Sequence, residues 1–385
     1  MQYRKYGKLG YEVSLFGVGC MRLPKIFDGG DKAKVDRPKA YELLRYAADN
    51  GVTYFDTAWG YHHQTSEEVL GEALAEGGRR ARVKIATKQP LMAMPKQSDI
   101  RRNLENTLKK LRTDYIDIYI IHNIQPGTWA TVKERSLIAE WEKFKAEGLI
   151  KAIGFSYHGN APCFNEILAH YDWDMCQIQQ NLMDVELQAG EQGIIEAGKK
   201  GCALVIMEPL RGGGLAAPTK AVQELYNAHP VKRNAVDWAF RHLIDYPQVS
   251  CILSGVSTLE QLKENIALFS APDAVPNCLS AADKELIRKV RERYQSVKSI
   301  PCTGCEYCLP CPNGVQIPSV FTLYNDGMSF ENFDQPSRAY MFTRAAKQDA
   351  SQCVECGQCE EKCPQHIKII DELKTAHSKL KNWIE

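Results

Sequence analysis

The chain has almost no excess of charge and no long hydrophobic run. Its 385 residues contain 48 Lys and Arg against 47 Asp and Glu, for a formal net charge of +1. The cations are scattered, so neither nucleic acid nor a membrane is expected as a partner. No apolar run reaches the roughly 18 residues that predict a transmembrane helix, and residues 1–7 lack an apolar signal region. We therefore expect a cytoplasmic protein.

Disulfides are not expected either, although the chain contains 14 cysteines. A disulfide scaffold is typical of short secreted chains, and this chain is long. Eight cysteines are concentrated in residues 302–363, which indicates a specialised module. The other six, several of which sit in apolar runs, are interpreted as small buried hydrophobic residues: Cys20, Cys163, Cys176, Cys202, Cys251 and Cys278.

Residues 1–300 alternate short apolar runs with longer amphipathic stretches. Eight apolar runs have the character of buried parallel strands; they span residues 15–20, 52–56, 83–88, 116–122, 152–156, 175–179, 203–207 and 250–254. Helical patterns lie between them, at residues 38–50, 97–111, 138–146, 231–244 and 259–269. This order predicts an α/β fold, a (β/α)₈ TIM barrel; a doubly wound sheet is the alternative. Residues 3–13 predict a hairpin that plugs the bottom of the barrel.

A domain boundary is expected after the charged helical segment 280–298. Ile300 and Pro301 break that pattern, and the cysteine-rich segment follows. We therefore expect a barrel over residues 1–298 and a small iron–sulfur domain over residues 299–385.

The cysteine spacing in the second domain is typical of iron–sulfur ligands. The run Cys353-x₂-Cys356-x₂-Cys359-x₃-Cys363-Pro364 has the bacterial ferredoxin spacing. The run Cys302-x₂-Cys305-x₂-Cys308-x₂-Cys311-Pro312 differs only by a last gap that is one residue shorter. Two residues between ligands allow three thiolates to converge on one cube.

The pattern predicts two 4Fe–4S clusters with exchanged ligands, because the fourth cysteine of such a run normally ligates the other cluster. One cluster would take Cys302, Cys305, Cys308 and Cys363, and the other would take Cys353, Cys356, Cys359 and Cys311. Structural zinc and a single cluster are the alternatives. Helical patterns at residues 317–324 and 337–346 favour a mainly helical, ferredoxin-like module over a compact β-hairpin type.

Polar side chains end three consecutive barrel strands. Asp56 closes the second strand and Tyr61 follows it, while Lys88 and His122 end the third and fourth strands. Because a barrel keeps its active site at the carboxyl ends of its strands, we expect these four side chains to lie together.

These residues resemble the catalytic tetrad of the aldo-keto reductase superfamily over about residues 1–295. The family's Asp and Tyr are five residues apart, as Asp56 and Tyr61 are, and Lys88 and His122 occupy the positions of its Lys and His. The resemblance implies reduction of a small carbonyl substrate by hydride transfer from NADPH or NADH. Tyr61 would donate the proton, Lys88 would lower its pKa, and His122 would orient the carbonyl oxygen.

The resemblance also implies a set of NADP- or NAD-binding positions, although several carry unusual residues. These positions are Met21, Ser156, Gln177, Met207, Leu210, Gly255, Gln261, Glu264 and Asn265. Tyr157 replaces an Asn that normally holds the carboxamide. Gly255 and Gln261 replace the Lys and Arg that grip the 2′-phosphate, so the choice between NADP and NAD stays open. His158 and Arg211 are candidates for the pocket lining by position alone.

The sequence is therefore compatible with two functions. The first is that of a carbonyl reductase in which the clusters serve electron transfer, regulation or structure. The alternative is a redox sensor or electron-transfer protein with a nucleotide-binding barrel and a redox partner protein. A hydride carries two electrons whereas a 4Fe–4S cluster takes one, and no flavin fingerprint is present, so a direct relay between the two is not assumed.

Overall fold

Eight parallel strands close into a barrel in the computed structural model, which describes residues 1–26, 33–297 and 299–382. The barrel strands are β3 (Phe16–Gly19), β6 (Tyr54–Asp56), β7 (Lys84–Pro90), β8 (Ile116–Ile124), β9 (Ile150–Tyr157), β10 (Met175–Gln179), β11 (Ala203–Met207) and β12 (Val249–Ser254). The order around the barrel is β10-β11-β12-β3-β6-β7-β8-β9, and every neighbouring pair is parallel. The closed ring confirms the TIM barrel and excludes the doubly wound sheet.

The remaining strands form two small antiparallel sheets. Strands β1 (Tyr3–Lys5) and β2 (Glu12–Ser14) make the predicted hairpin, and β4 (Lys25–Ile26) pairs with β5 (Lys34–Val35). Tyr6, in the hairpin, packs in one apolar cluster with inward residues of the barrel strands. The hairpin therefore plugs the barrel, as the sequence indicated.

Helices follow most of the barrel strands along the chain. They are α1 (Arg37–Asp49), α2 (Ser66–Leu74), α3 (Arg79–Arg82), α4 (Gln97–Leu111), α5 (Pro126–Glu134), α6 (Leu137–Ala146), α7 (Ala161–His170), α8 (Gly190–Lys199), α9 (Lys220–Ala228), α10 (Ala235–Ile244), α11 (Leu259–Ser270) and α12 (Ala281–Gln295). Helix α10 begins later than the predicted 231 because the Asn234 side chain accepts a hydrogen bond from Asp237 N (2.8 Å), which is the contact of an N-cap. Among the described residues no helix is long and apolar enough to cross a membrane.

The chain divides into two compact units. The first contains residues 1–210 and 239–280, and the second contains residues 211–238 and 281–385. Within the second unit α12 packs against α9, and His229 Nε2 lies 3.7 Å from Asp283 Oδ1. The units thus divide the chain at other places than the expected boundary between residues 298 and 299, which stays a prediction.

The cysteine-rich part of the second unit is helical, as the spacer predicted. It contains α13 (Ile317–Ser329), α14 (Asp334–Ala345), α15 (Gln358–Glu361) and α16 (Ile369–Leu380). A small apolar core joins these elements; its members include Ile300, Phe321, Tyr340 and Leu373. Residues 299–382, as described, contain no strand, so the β-hairpin type of ferredoxin is excluded.

Five of the six scattered cysteines are buried, and Cys278 is partly exposed. The interpretation of these residues as small buried hydrophobic groups is therefore confirmed for the five. Cys251 in particular lies in the apolar cluster inside the barrel.

Candidate active site and cysteine cavities

Strand register brings Asp56, Lys88 and His122 to one end of the barrel. Asp56 of β6 pairs with Ala86 of β7, two residues before Lys88, and Pro90 of β7 pairs with His122 of β8. Asp56 and Lys88 are almost fully buried. The carboxyl ends of the strands thus form the expected site.

Lys88 is the centre of the site because its ammonium has three partners. Nζ donates to Asp56 Oδ1, to the Thr57 carbonyl at 2.9 Å and to the Tyr61 hydroxyl at 3.5 Å. It also lies 5.0 Å from the centre of the Tyr61 ring. One lysine therefore connects the carboxylate and the phenol that the sequence analysis paired.

Burial and charge act in opposite directions on the protonation of these groups. Burial raises the pKa of Tyr61, and the Lys88 ammonium opposes that rise. Burial also raises the pKa of Asp56 against the same ammonium, while the Lys88 pKa is raised because the pull of Asp56 and Tyr61 outweighs desolvation. Lys88 therefore lowers the Tyr61 pKa as expected, but desolvation is the larger effect, and the net direction is upward.

His122 lies beside Tyr61, with the two rings edge to face and their centres 6.1 Å apart. Burial, with Lys88 and His158 adding to it, lowers the pKa of His122 to about 3. The pKa of His158 is lowered to about 4 by burial and by Lys88. Both imidazoles are therefore neutral near pH 7, and His158 belongs to the electrostatic surroundings of the site.

The loop after Tyr61 has an unusual backbone. His62, His63 and Gln64 have φ of 50°, 53° and 70°, a region that residues other than glycine seldom adopt. His62 Nε2 lies 3.0 Å from the Cys20 carbonyl, so this residue is anchored to the loop after β3. Strained backbone of this kind concentrates at functional sites.

Ser156 and Gln177 are paired neighbours on β9 and β10. Both are buried, and Ser156 Oγ accepts a hydrogen bond from Asn123 N at 2.8 Å. Gln177 Oε1 has no hydrogen-bond partner among the described residues. A buried acceptor without a partner calls for a donor from a ligand, and the amide of a nicotinamide is such a donor.

Sequence reasoning did not single out Gln180, which follows β10 at the same end of the barrel. It is fully buried, and neither atom of its amide has a hydrogen-bond partner among the described residues. The signal was present in the run Gln177-Ile178-Gln179-Gln180-Asn181, an unusual density of amides at a strand end.

The other predicted cofactor positions lie after β3, at or just after the end of β11, and in the segment that follows β12. Met21 is half exposed in a turn after β3, Met207 ends β11, and Leu210 is the last residue of the first segment of the first unit. After β12, Gly255 precedes α11, and Asn265 donates to Ser254 Oγ at 3.1 Å. Gln261 and Glu264 are exposed on α11.

Two residues considered for the pocket have other partners. Tyr157 is buried, packs on Phe164 with ring centres 5.3 Å apart and donates to the Asn160 carbonyl. Its hydroxyl therefore does not take over the role of the Asn whose sequence position it occupies. Arg211 belongs to the second unit, where its guanidinium pairs with Asp326 at 3.0 Å and lies 5.1 Å from the Phe330 ring centre.

The eight clustered cysteines line two cavities. One cavity has Cys302, Cys305, Cys308 and Cys363 in its wall. The other has Cys311, Cys353, Cys356 and Cys359, with Cys308 at its border. The grouping follows the exchanged pattern of the sequence analysis, in which Cys311 and Cys363 each join the other run.

No group of three or more His, Cys, Asp or Glu side chains in the described residues lies close enough to hold a single metal ion. Among the described residues, the side chains as placed thus form no tetrahedral thiolate set of the kind that binds structural zinc, in which each Zn–S distance is about 2.3 Å.

Two anchors of the cysteine loops were not predicted. Asn325 of α13 holds both polar groups of the Ile300 backbone, accepting from its N–H at 2.9 Å and donating to its carbonyl at 2.8 Å, just before Cys302. Tyr340 of α14 accepts from Ala350 N at 3.0 Å, just before Cys353. Each cysteine run is therefore preceded by a segment fixed by one buried side chain.

Comparison with known proteins identifies both parts of the chain. The family model of the aldo/keto reductase family matches residues 17–277, and the model of the 4Fe-4S dicluster domain matches residues 301–367. The barrel and the cysteine module together define an oxidoreductase with an iron–sulfur domain. The chain belongs to the aldo/keto reductase family, and its C-terminal part is a 4Fe–4S module.

Three relatives illustrate the likeness. Aldo-keto reductase YhdN of Bacillus subtilis is 34% identical over 163 residues, which cover 40% of this chain and 47% of that protein, about half its length. The uncharacterized oxidoreductase YqkF of the same organism is 25% identical over 300 residues, covering 70% of this chain and 92% of YqkF. An aldo-keto reductase from Klebsiella pneumoniae, solved in complex with NADPH, shares the fold with a TM-score of 0.61 at 21% identity, covering 76% of this chain and 96% of that one.

Proposed function

We propose that the chain reduces an aldehyde, a ketone or a quinone-like carbonyl with NADPH or NADH, and that Tyr61 donates the proton. The observation that carries this proposal is the position of Lys88, whose ammonium contacts both Asp56 and Tyr61 in a site that also contains His122. A carboxylate, a lysine and a phenol in contact can transfer a proton from the phenol oxygen to the carbonyl oxygen of a substrate.

A nicotinamide cofactor, when bound, would supply the hydride for the carbonyl carbon. The Tyr61 hydroxyl gives its proton to the carbonyl oxygen, and the nearby Lys88 ammonium stabilises the phenolate that remains. Asp56 keeps Lys88 charged at this buried position, because its carboxylate raises the Lys88 pKa. The pair thus holds a positive charge where negative charge develops on Tyr61.

His122 has a different part in this proposal. With a pKa lowered to about 3 it is neutral at physiological pH. A neutral imidazole donates one hydrogen bond to the carbonyl oxygen and orients it without supplying the proton. Tyr61 and His122 therefore divide the work of proton transfer and positioning.

Residues on β9 and β10 suit the carboxamide of the cofactor. Gln177 Oε1 is a buried acceptor without a partner among the described residues, and Ser156 is its paired neighbour. A carboxamide amine beside Gln177 would satisfy this acceptor. The Klebsiella pneumoniae relative was solved with NADPH, which supports a nicotinamide cofactor here.

We further propose that the second unit binds two 4Fe–4S clusters. One has Cys302, Cys305, Cys308 and Cys363 as ligands, and the other has Cys353, Cys356, Cys359 and Cys311. The support is that two cavities in this unit have these cysteines in their walls, one set in each.

Exposure near the clusters favours a redox partner protein as a second part of the function. Cys305 and Cys356 are exposed, and the apolar residues beside them, Tyr307 and Val354, are 64% and 62% exposed. Such residues allow a partner to approach the cluster edge closely. One-electron exchange with that partner avoids the mismatch with two-electron hydride transfer.

The experiment compares Tyr61→Phe with Tyr119→Phe in anaerobically purified protein. Tyr119 lies on strand β8 with its ring against Trp141 (4.3 Å between centres) and is the matched control. We expect Tyr61→Phe to lower kcat for carbonyl reduction about 100-fold or more and to leave the cluster absorbance unchanged. If the wild type reduces no aldehyde, ketone or quinone with either NADPH or NADH, the proposed reductase function is wrong. That result would favour the redox-sensor function.

A further inference from the structure

Tyr61 lies on a loop, unlike the other three residues that are proposed to carry the reaction. Asp56, Lys88 and His122 lie on the barrel strands β6, β7 and β8. Tyr61 lies in the segment 57–65, between the end of β6 and the start of α2. Its proposed role as proton donor, on which this inference rests, requires that the loop hold the hydroxyl in place.

The three residues after Tyr61 adopt a conformation that their side chains disfavour. His62, His63 and Gln64 are all left-handed, with φ of 50°, 53° and 70°. This conformation is unfavourable for residues other than glycine, and three in succession persist only where surrounding contacts stabilise them. The contacts of this left-handed turn therefore decide where the loop lies.

The His62 side chain makes such a contact. Its Nε2 lies 3.0 Å from the Cys20 carbonyl, and because a carbonyl oxygen can only accept, Nε2 is the donor. Cys20 is fully buried and directly follows β3, whose last residue Gly19 pairs with Asp56 of β6. The hydrogen bond thus fastens the left-handed turn to a buried point beside the strand from which the loop starts.

The same carbonyl accepts a second hydrogen bond, from the start of α2. Ser66 Oγ donates to the Cys20 carbonyl at 3.4 Å and accepts from Thr57 Oγ1 at 2.9 Å. Ser66 N also donates to the Tyr61 carbonyl at 3.3 Å. The residues on either side of the left-handed turn are therefore joined to the point that His62 contacts.

Lys88 is connected to these contacts through the backbone of Thr57. Its Nζ donates to the Thr57 carbonyl at 2.9 Å and to the Tyr61 hydroxyl at 3.5 Å. The second distance is long for a hydrogen bond, so a small displacement of the loop would separate the hydroxyl from the ammonium. The position of the left-handed turn therefore sets the contact on which the proposed proton transfer depends.

We propose that His62 is a positioning residue for Tyr61. Its hydrogen bond to the Cys20 carbonyl holds the left-handed turn and thereby keeps the Tyr61 hydroxyl beside Lys88. In this role the imidazole needs to touch neither substrate nor cofactor. Its neighbour His63 has the same side chain and a similar backbone conformation but is exposed, which makes His63 the matched control.

The test measures kcat and KM in the anaerobically purified full chain, for whichever of p-nitrobenzaldehyde, acetophenone and menadione the wild type reduces fastest. His62→Phe keeps an aromatic ring without a donor. We expect its kcat to fall about 10-fold to 100-fold, because a misplaced reacting group is costly, and its KM values to change less than about 3-fold. His62→Gln can place an amide N–H where Nε2 lies, so its kcat should stay within about 3-fold of the wild type. His63→Phe should match the wild type.

Two further measurements separate positioning from a general loss of structure. His62→Gly removes the backbone strain together with the donor, so it should fold with an unchanged near-ultraviolet circular dichroism, and its kcat should still fall about 10-fold. The Lys88 ammonium lowers the pKa of Tyr61. Separation of the two in His62→Phe should therefore move the pH dependence of the reverse alcohol oxidation, which needs the phenolate, to higher pH.

Several results would overturn the positioning role of His62. They are a wild-type kcat in His62→Phe or in His62→Gly, a loss confined to KM, and an unshifted pH dependence in His62→Phe. An equal loss in His63→Phe would overturn it too, as would a His62→Gln variant as slow as His62→Phe. A wild type that reduces none of the three carbonyl compounds overturns the proposed function, and this role with it.

Discussion

The barrel site and the cysteine module are organised in opposite ways. In the barrel, Asp56 and Lys88 are held on strands and contact each other within a closed sheet. In the module, residues 301–316 and 362–368 contain neither helix nor strand, and the cysteines of these loops line cavities. The strands of the barrel thus place Asp56 and Lys88 in direct contact, whereas the cysteine loops surround cavities.

Protonation adds to this difference. Burial raises the pKa of Cys308 to about 11 and raises that of Cys359, with neighbouring thiols adding to the effect. These two thiols are therefore protonated when no iron is bound, and ligation by iron should be coupled to folding of the loops. We therefore expect the barrel to fold without its cofactor, and the cysteine loops of the module to fold only when the clusters are bound.

The largest effect is expected from removal of the clusters. Anaerobic chelation should unfold the cysteine loops, seen as new protease cleavage within residues 299–382, because ligation and folding are coupled. The barrel should keep its near-ultraviolet circular dichroism, since its side chains are packed without iron. Cysteine loops that remain protected after iron is removed would break the comparison.

Single ligand variants sharpen the same point. Cys311→Ser and Cys363→Ser should each lower the iron content by about half under anaerobic conditions, because each removes a ligand from a different cluster. Cys278→Ser, outside both cavities, is the control. Loss of the same cluster in both variants would contradict the exchanged ligand sets.

The second prediction concerns the buried ion pair of the barrel. Asp56→Asn or Lys88→Met should each lower the free energy of unfolding by about 3–5 kcal/mol, because each leaves a buried charge without its partner. The double variant should recover much of this stability while remaining inactive. Urea unfolding followed by tryptophan fluorescence provides the measurement. Additive losses in the double variant would mean that the pair is not coupled.

The third prediction concerns the two side chains that fix the cysteine runs. Asn325→Ala should destabilise the holo module by about 1–3 kcal/mol, since both polar groups of Ile300 lose a buried partner. Tyr340→Phe removes the acceptor of Ala350 N and a 2.8 Å hydrogen bond to His377. Because His377 is partly exposed and water can replace that second bond, this variant should cost less. Rates of iron loss to a chelator rank the two variants. A faster loss from Tyr340→Phe than from Asn325→Ala would reverse the order.

Much of this architecture could be read from the sequence. Strands over residues 175–179 and 203–207 and helix α4 were predicted with their observed bounds, because apolar runs and helical periodicity are local signals. The division of the cysteines between the two cavities also follows the sets expected from their spacing, while their role as cluster ligands stays a prediction.

Long-range packing could not be read in this way. Asn325 meets Ile300 and Arg22 meets Gly255 through contacts between distant segments, and no local pattern marks them. The net direction of the Tyr61 pKa depends on desolvation as well as on Lys88, and burial depth is not visible in a sequence. Residues 211–238 grouped with the second unit for the same reason.

The effect expected to be smallest near neutral pH comes from two buried histidines of the barrel, His122 and His158, whose protonation matters only in acid. Burial lowers the pKa of His122 to about 3 and that of His158 to about 4, below the ordinary 6.5. Between about pH 4 and 6.5 these two histidines are protonated in the unfolded chain and neutral in the folded barrel. The free energy of unfolding is therefore highest above pH 6.5 and falls as the pH is lowered towards 4. His158→Asn should flatten this slope in urea titrations of the barrel, whereas His170→Asn, on the surface of α7, should not. An unchanged slope in His158→Asn would show that the acid sensitivity lies elsewhere, and the two regions would then differ less than their sites suggest.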